Sequence, residues 1–174
     1  MRVLFELDKK DYDENGTCFV RPSVRGIIVK DGEIAMVHSL KYDYYKFPGG
    51  GAEPDEEHQE TLIREVKEEV GLVVIPDSIR EFGLVHRKQK GKIEDIFVQD
   101  NFYYLCDVEP EIEMQKLDDY EEEEEFTLEY VTPQHAIDRN RFGEHGTKND
   151  DPMFIMMIER EVYVLEILMQ ENYC

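Results

Sequence analysis

The chain has 174 residues, 41% of them apolar, with ten Tyr and nine Phe, which suits one domain over residues 1–174 and excludes disorder along the whole length. Its 41 Asp and Glu against 20 Lys and Arg give a formal net charge of −21. Such a surface repels polyanions and argues against polymeric nucleic acid or an anionic membrane face as a partner, while a small anion screened by metal ions stays compatible with it.

Residues 1–20 are expected to form an edge hairpin turning at Asp13-Glu14-Asn15-Gly16, or an N-terminal extension. Asp11 to Gly16 copies the first half of a calcium-binding EF-hand loop, but the twelfth position, which needs a bidentate Glu, is Pro22. Val24 to Val29 and Ile34 to Val37 are β-forming runs, and Lys30-Asp31-Gly32-Glu33 between them predicts a hairpin. After Tyr42 to Phe47, Pro48-Gly49-Gly50-Gly51 forbids a helix. From Glu56 to Val70 the pattern is helical, with Gly71 as C-terminal cap. Leu72 to Ile75, Ile79 to Val85, Phe97 to Val108 and Phe126 to Val131 read as strands. Asp118 to Glu125 is an acidic loop, Pro133 to Asn140 a short helix, and Phe154 to Met169 a longer amphipathic one. Strands and helices mix without strict alternation, which predicts an α/β or α+β layered domain around a mixed sheet.

Cys18, Cys106 and Cys174 form no CxxC pair, and their odd number predicts reduced thiols. Neither a signal peptide nor a spanning apolar run is visible, so a cytoplasmic protein is expected. The five histidines have no metal-ligand spacing, and Gly146-Thr147-Lys148 lacks the spacing of a phosphate-binding P-loop.

The segment Gly50 to Leu72 carries the chemistry. On its helix Glu65, Glu68 and Glu69 fall at i, i+3 and i+4 and share one face, while Leu62, Ile63, Val66 and Val70 gather on a neighbouring face that can pack under a sheet. Clustered carboxylates repel one another unless a cation joins them, and their hard oxygens suit Mg²⁺ or Mn²⁺ better than zinc. The preceding glycines let backbone approach a ligand closely. Metal ions held there can bridge phosphate oxygens and activate water. Tyr42, Tyr44 and Tyr45 precede the turn and can stack on a base, with Tyr45 the candidate substrate contact; Arg25, with Arg21, can reach a phosphate.

The same segment resembles the Nudix box, a pattern of G, five residues, E, seven residues, then R-E-U-x-E-E-x-G-U with U aliphatic. Gly50, Glu56, Arg64, Glu65, Glu68, Glu69 and Gly71 fill the fixed positions, and Val66 and Leu72 the aliphatic ones. The resemblance implies an α/β/α sandwich with a central mixed sheet, and hydrolysis of the diphosphate bond of a nucleoside diphosphate linked to another group: a nucleoside triphosphate, sugar nucleotide or dinucleotide. It implies Glu65, Glu68 and Glu69 as metal ligands, with the Gly50 carbonyl a further one, and Glu65 as first choice to activate water. Arg64 would pair with Glu56 or Glu53 and hold the turn to the helix. A further acid often comes from a loop outside the box, and Glu124 is the choice here, ahead of Glu123 and Glu125. Family members often carry Gly where this chain has Asp55, so the local turn is expected to differ. The alternative function is a nucleotide or sugar-nucleotide sensor without turnover. Homodimers are common among such proteins, so a homodimer is a further expectation.

Overall fold

The computed structural model describes residues 1–174. Its longest hairpin joins β8 (Arg80–Lys90) to β9 (Ile96–Leu105), antiparallel from Arg80 opposite Leu105 to Lys90 opposite Ile96. Both edges of that hairpin are taken by strands from the N-terminal part of the chain. β1 (Val3–Asp8) runs parallel to β8, whereas β2 (Cys18–Val20) and β3 (Ser23–Ile27) run parallel to β9 in succession.

Residues 1–20 are therefore not an edge hairpin. A turn does form at Asp13 to Gly16, closed by the Gly16 N–H on the Asp13 carbonyl at 3.0 Å. Its two flanks, however, satisfy their backbone groups on opposite edges of β8–β9 instead of on each other, which completes a five-stranded sheet.

The second sheet has four strands: β4 (Val29–Lys30), β5 (Glu33–Ser39), β6 (Tyr44–Lys46) and β11 (Phe126–Val131). Between β4 and β5, Asp31 at φ 53° and Gly32 at φ 83° make the left-handed pair that a two-residue hairpin turn requires. A third, two-stranded piece pairs β7 (Leu72–Val74) with β10 (Val108–Ile112). The mixed α+β layering expected from the sequence is present, with its strands divided among three sheets.

Helix α1 (His58–Val70) starts at a capping box formed by Glu57 and Glu60 and ends at Gly71, whose φ of 70° is left-handed. It buries Leu62, Val66 and Val70 and lies against β3 and β11. Gly26 on β3 permits that approach, since a Cβ there would meet Val66 at 3.0 Å and Leu62 at 3.3 Å. The acidic run is not all loop: Asp118 and Glu121 form a second capping box that starts the short helix α2 (Asp119–Glu123).

Helix α3 (Pro133–Phe142) is capped by the Thr132 hydroxyl, and the 19-residue α4 (Pro152–Gln170) by the Asp151 carboxylate. α4 packs on β1, β6 and α3, burying Phe154, Met156, Val162, Val164, Leu165 and Leu168. It also buries Arg160 and Glu161, two charges that an apolar helix face does not need for packing. No helix is long and apolar enough to cross a membrane.

Candidate active site

Between β6 and α1 the chain turns through Gly49, Gly50 and Gly51. Gly49 has φ 134° and lies so close to the Val24 carbonyl that no side chain fits. Gly50 gives its place to the Glu65 carboxylate, which lies where a Cβ would stand. The Gly50 carbonyl accepts the Val24 N–H at 2.9 Å, so one of its two lone pairs remains for another partner.

Arg64 ties the turn to the helix. Its Nε and Nη2 donate to the two oxygens of Glu56, each at 2.8 Å, and Nη2 also reaches the Gly51 carbonyl at 3.4 Å. This two-pronged bond holds the Glu56 carboxyl down to about 2. Arg64 Nη1 also donates to Glu65 at 2.6 Å and to Glu68 at 3.3 Å, so two of the three box carboxylates converge on one nitrogen. Burial pushes the Glu65 carboxyl up; the Arg64 bond opposes that shift, and repulsion from Glu69 adds to it.

Glu69 points inward. It is 1% exposed, pairs with Lys46 Nζ at 2.5 Å and accepts the Gly49 N–H at 2.7 Å. Glu65 and Glu68 thus meet on Arg64 beside Gly50, with Glu69 near enough to Glu65 to raise its carboxyl, but the three carboxylates do not close into a group that could hold a metal ion in this structure.

Tyr45 does not join them. In β6 alternate side chains face opposite ways, and it is Tyr44 and Lys46 that line the cavity beside the box. Tyr45 instead stacks on His38 with ring centroids 4.3 Å apart and donates to Glu129 at 2.9 Å. Arg25 does line the cavity, and its Nη1 donates to the Phe47 carbonyl at 3.4 Å and to that of Gly49.

Glu124 lies in the cavity wall, already holding Lys148 at 2.5 Å and the Tyr44 hydroxyl at 2.6 Å. Within the same run, Glu121 is the buried acid whose carboxyl feels Glu69. Burial raises it to about 7, against the Asp118 N–H bond, and Glu69 raises it further.

The cavity has a volume of about 350 Å³ and an unusual wall for so acidic a chain: Arg21, Arg25, Lys46, Arg87, Lys148 and Arg160. Lys46, Arg87, Lys148 and Arg160 were missed in the sequence. Lys46 was legible in principle, because it alternates with Tyr44 beside the Gly-rich turn. Arg160-Glu161 in mid-helix was a second signal. Arg87 carried none, since a cation in a long strand reads as a solvated face.

The NUDIX domain model matches residues 20–149, most of the chain and all of the box. The chain belongs to the NUDIX family. It is similar to an RNA pyrophosphohydrolase of Pseudomonas putida, 42% identical over 53 residues, which is 30% of this chain and 33% of the relative. A counterpart in Hahella chejuensis is 46% identical over 54 residues, with the same shares covered. These matches span about a third of the relatives' length. Among solved structures, the E. coli ORF135 protein aligns with TM-score 0.54 and 20% identity, over 84% of this chain and 91% of that one. A MutT protein from Bacillus halodurans aligns with TM-score 0.54 and 19% identity, over 81% and 84%. These two likenesses place the fold among NUDIX structures.

Proposed function

We propose that the protein hydrolyses a diphosphate bond in a small nucleotide-type substrate, assisted by Mg²⁺ or Mn²⁺. The observation that carries this reading is that Glu69 of the box holds Lys46, one of six cations that wall the adjoining cavity. Phosphate oxygens suit the cations, and the carboxylates suit a hard metal ion. The residue types fit such an ion, since Glu65, Glu68 and Glu69 are oxygen donors and the Gly50 carbonyl keeps a free lone pair, although here Arg64 and Lys46 hold the three carboxylates and they form no metal-holding group. When bound, a divalent ion withdraws charge from phosphate oxygens and lowers the pKa of water.

The chain's own residues supply position and proton handling. Arg64 orients Glu65 and Glu68, Lys46 orients Glu69, and Arg25 holds the Gly-rich turn from the cavity side. Water adds to one phosphorus, the bridging P–O bond breaks, and each product leaves with a phosphate end. Of the box carboxylates Glu65 is our candidate to take the proton from water, being half-buried beside the Gly-rich turn with burial raising its carboxyl. The RNA pyrophosphohydrolase relatives bear on bond type, and the net charge of −21 favours a small substrate over a long RNA.

The test is hydrolysis of a nucleotide set with Mg²⁺, with both products identified by chromatography. Glu65→Gln is the informative variant, because Glu65 keeps some solvent and its loss strands no buried cation. It is expected to lower kcat by at least about 10²-fold with unchanged circular dichroism. Undiminished turnover in that folded variant would sink the reading.

A further inference from the structure

The cations around the cavity divide into two sets. Lys46, Lys148 and Arg160 are matched by Glu69, Glu124 and Glu161. Arg21, Arg25 and Arg87 form no ion pair, in a chain with twice as many acids as bases. The one other carboxylate in the wall, Asp151, is already paired with Lys92 at 2.9 Å and caps α4 through the Met153 N–H at 2.8 Å.

Two of the unmatched guanidiniums are deeply placed: Arg87 is 4% exposed and Arg25 is 9% exposed. Their hydrogen bonds go to neutral groups. Arg87 donates to the Gln89 side chain at 2.8 and 3.0 Å and to the Met153 carbonyl at 2.8 Å. Arg25 donates to the Ser23 hydroxyl at 3.2 Å and to backbone carbonyls. Burial, together with repulsion from Arg160 and Arg25, lowers the Arg87 guanidinium to about 9. Arg25 feels Glu65, and Arg87 feels Asp151 and Glu161, but none of these lies within ion-pair distance, so an anion from outside the chain would stabilise both guanidiniums.

The charge such an anion must carry separates the substrate classes. In sugar nucleotides and dinucleotides the diphosphate is esterified at both ends and each phosphorus keeps a single charge. A terminal phosphate carries about −1.5 to −2 near neutral pH, so a triphosphate end brings more charge than either. Three unmatched arginines beside the box exceed what a doubly esterified diphosphate neutralises.

We infer that Arg21, Arg25 and Arg87 hold the terminal phosphate chain of a small triphosphate-ended molecule. The inference rests on the hydrolytic reading of the adjoining box. Arg21, on the exposed link between β2 and β3, holds the mouth of the cavity, while Arg25 and Arg87 hold its floor. Away from this wall the chain is strongly acidic, which opposes the trailing strand of an RNA 5′ end and favours a ligand contained within the cavity.

Calorimetric binding to the full chain in EDTA separates this inference from turnover. Inorganic tripolyphosphate is expected to bind at least about tenfold more tightly than a sugar nucleotide. Arg21→Gln and Arg87→Gln should each weaken tripolyphosphate binding about tenfold or more. Arg21 is exposed, so its variant folds and keeps the test decisive if Arg87→Gln does not. Equal affinity for the sugar nucleotide, an unchanged Kd in Arg21→Gln, or tighter binding of a 5′-triphosphorylated RNA oligonucleotide than of tripolyphosphate would each overturn the inference and leave diphosphate hydrolysis standing. Tight, Arg21-dependent tripolyphosphate binding by a protein that hydrolyses no nucleotide would uphold the site and remove the hydrolytic reading alone.

Discussion

Along α1 each box carboxylate meets a basic partner close at hand, Arg64 for Glu65 and Glu68 and Lys46 for Glu69. Across the adjoining cavity, Arg21, Arg25 and Arg87 arrive from the β2–β3 link, β3 and β8 and meet no carboxylate. The first region is a local device, held together by residues within one turn and one helix plus a single strand neighbour. The second is assembled by tertiary structure and left positively charged. Arg64 and Lys46 pair directly with the carboxylates of the first, whereas Arg25 and Arg87 in the second feel only carboxylates beyond ion-pair distance, Glu65 for one and Asp151 and Glu161 for the other. The difference identifies the cavity as the place where an external anion contributes most.

The Glu69–Lys46 pair joins the two regions, and breaking it gives the largest expected effect. Lys46 is 5% exposed, sits 4.5 Å from the Phe126 ring centroid, and has Glu69 as its carboxylate partner. Glu69→Gln removes the one carboxylate paired directly with that buried ammonium and leaves only the more distant Glu121, which costs about 3 kcal/mol of stability. Adding Lys46→Met to Glu69→Gln removes the stranded charge and should recover part of the loss. Urea denaturation of the wild type, the single variant and the pair measures both steps. A loss below about 1 kcal/mol in Glu69→Gln would show that the pair is not the buried link described here.

A smaller effect is expected at Glu121, which is buried near Glu69 without a basic partner of its own. Its folded carboxyl stands at about 7 against an ordinary 4.5. The folded state therefore binds this proton more tightly than the unfolded chain does. That contribution to stability is complete below about pH 4.5 and is lost as pH rises through about 7, at a cost on the order of 3 kcal/mol by pH 8. Glu121→Gln keeps an acceptor for the Asp118 N–H and removes the charge, so its stability advantage over wild type should grow across that window and vanish in acid. Thermal unfolding in EDTA at several pH values reads the slope directly, and parallel curves for the two proteins would contradict the assignment.

The same contrast explains what the sequence disclosed. The box was legible because its residues act through i, i+3 and i+4 spacing and through a turn that only glycine can make. The Asp31-Gly32 hairpin and the Gly71 cap were legible for the same local reason. The paths of β1 and β2 were not, because a strand can satisfy its backbone on any open edge, and the two edges of β8–β9 are set by residues some 80 positions away. Tyr45 was misplaced by a single step of strand alternation: the aromatic character of Tyr44 and Tyr45 is shared, and only the pairing of β6 on β5 decides which one faces the cavity. Arg87 is visible only once β8 and α4 pack together, where it donates to the Met153 carbonyl.

The smallest effect tests the local region on its own terms. Asp55 stands where many family members have glycine, and in this structure it takes φ 67°, the left-handed conformation that glycine adopts freely. The turn thus keeps the backbone shape glycine would give and strains an aspartate to do so, a strain that Asp tolerates better than most residues. Asp55 is exposed and makes no ion pair, so nothing else is lost when its side chain is removed. Asp55→Gly relieves the strain but also frees the unfolded chain, and these contributions oppose each other. The net change in unfolding free energy is expected to fall within about 1 kcal/mol of zero on the stabilising side. Because Arg64 and Glu56, not Asp55, hold the turn to the helix, kcat and tripolyphosphate affinity should both stay unchanged. A marked loss of either in a stable Asp55→Gly protein would mean that the aspartate carboxylate, and not the shape of its backbone, is what the turn requires.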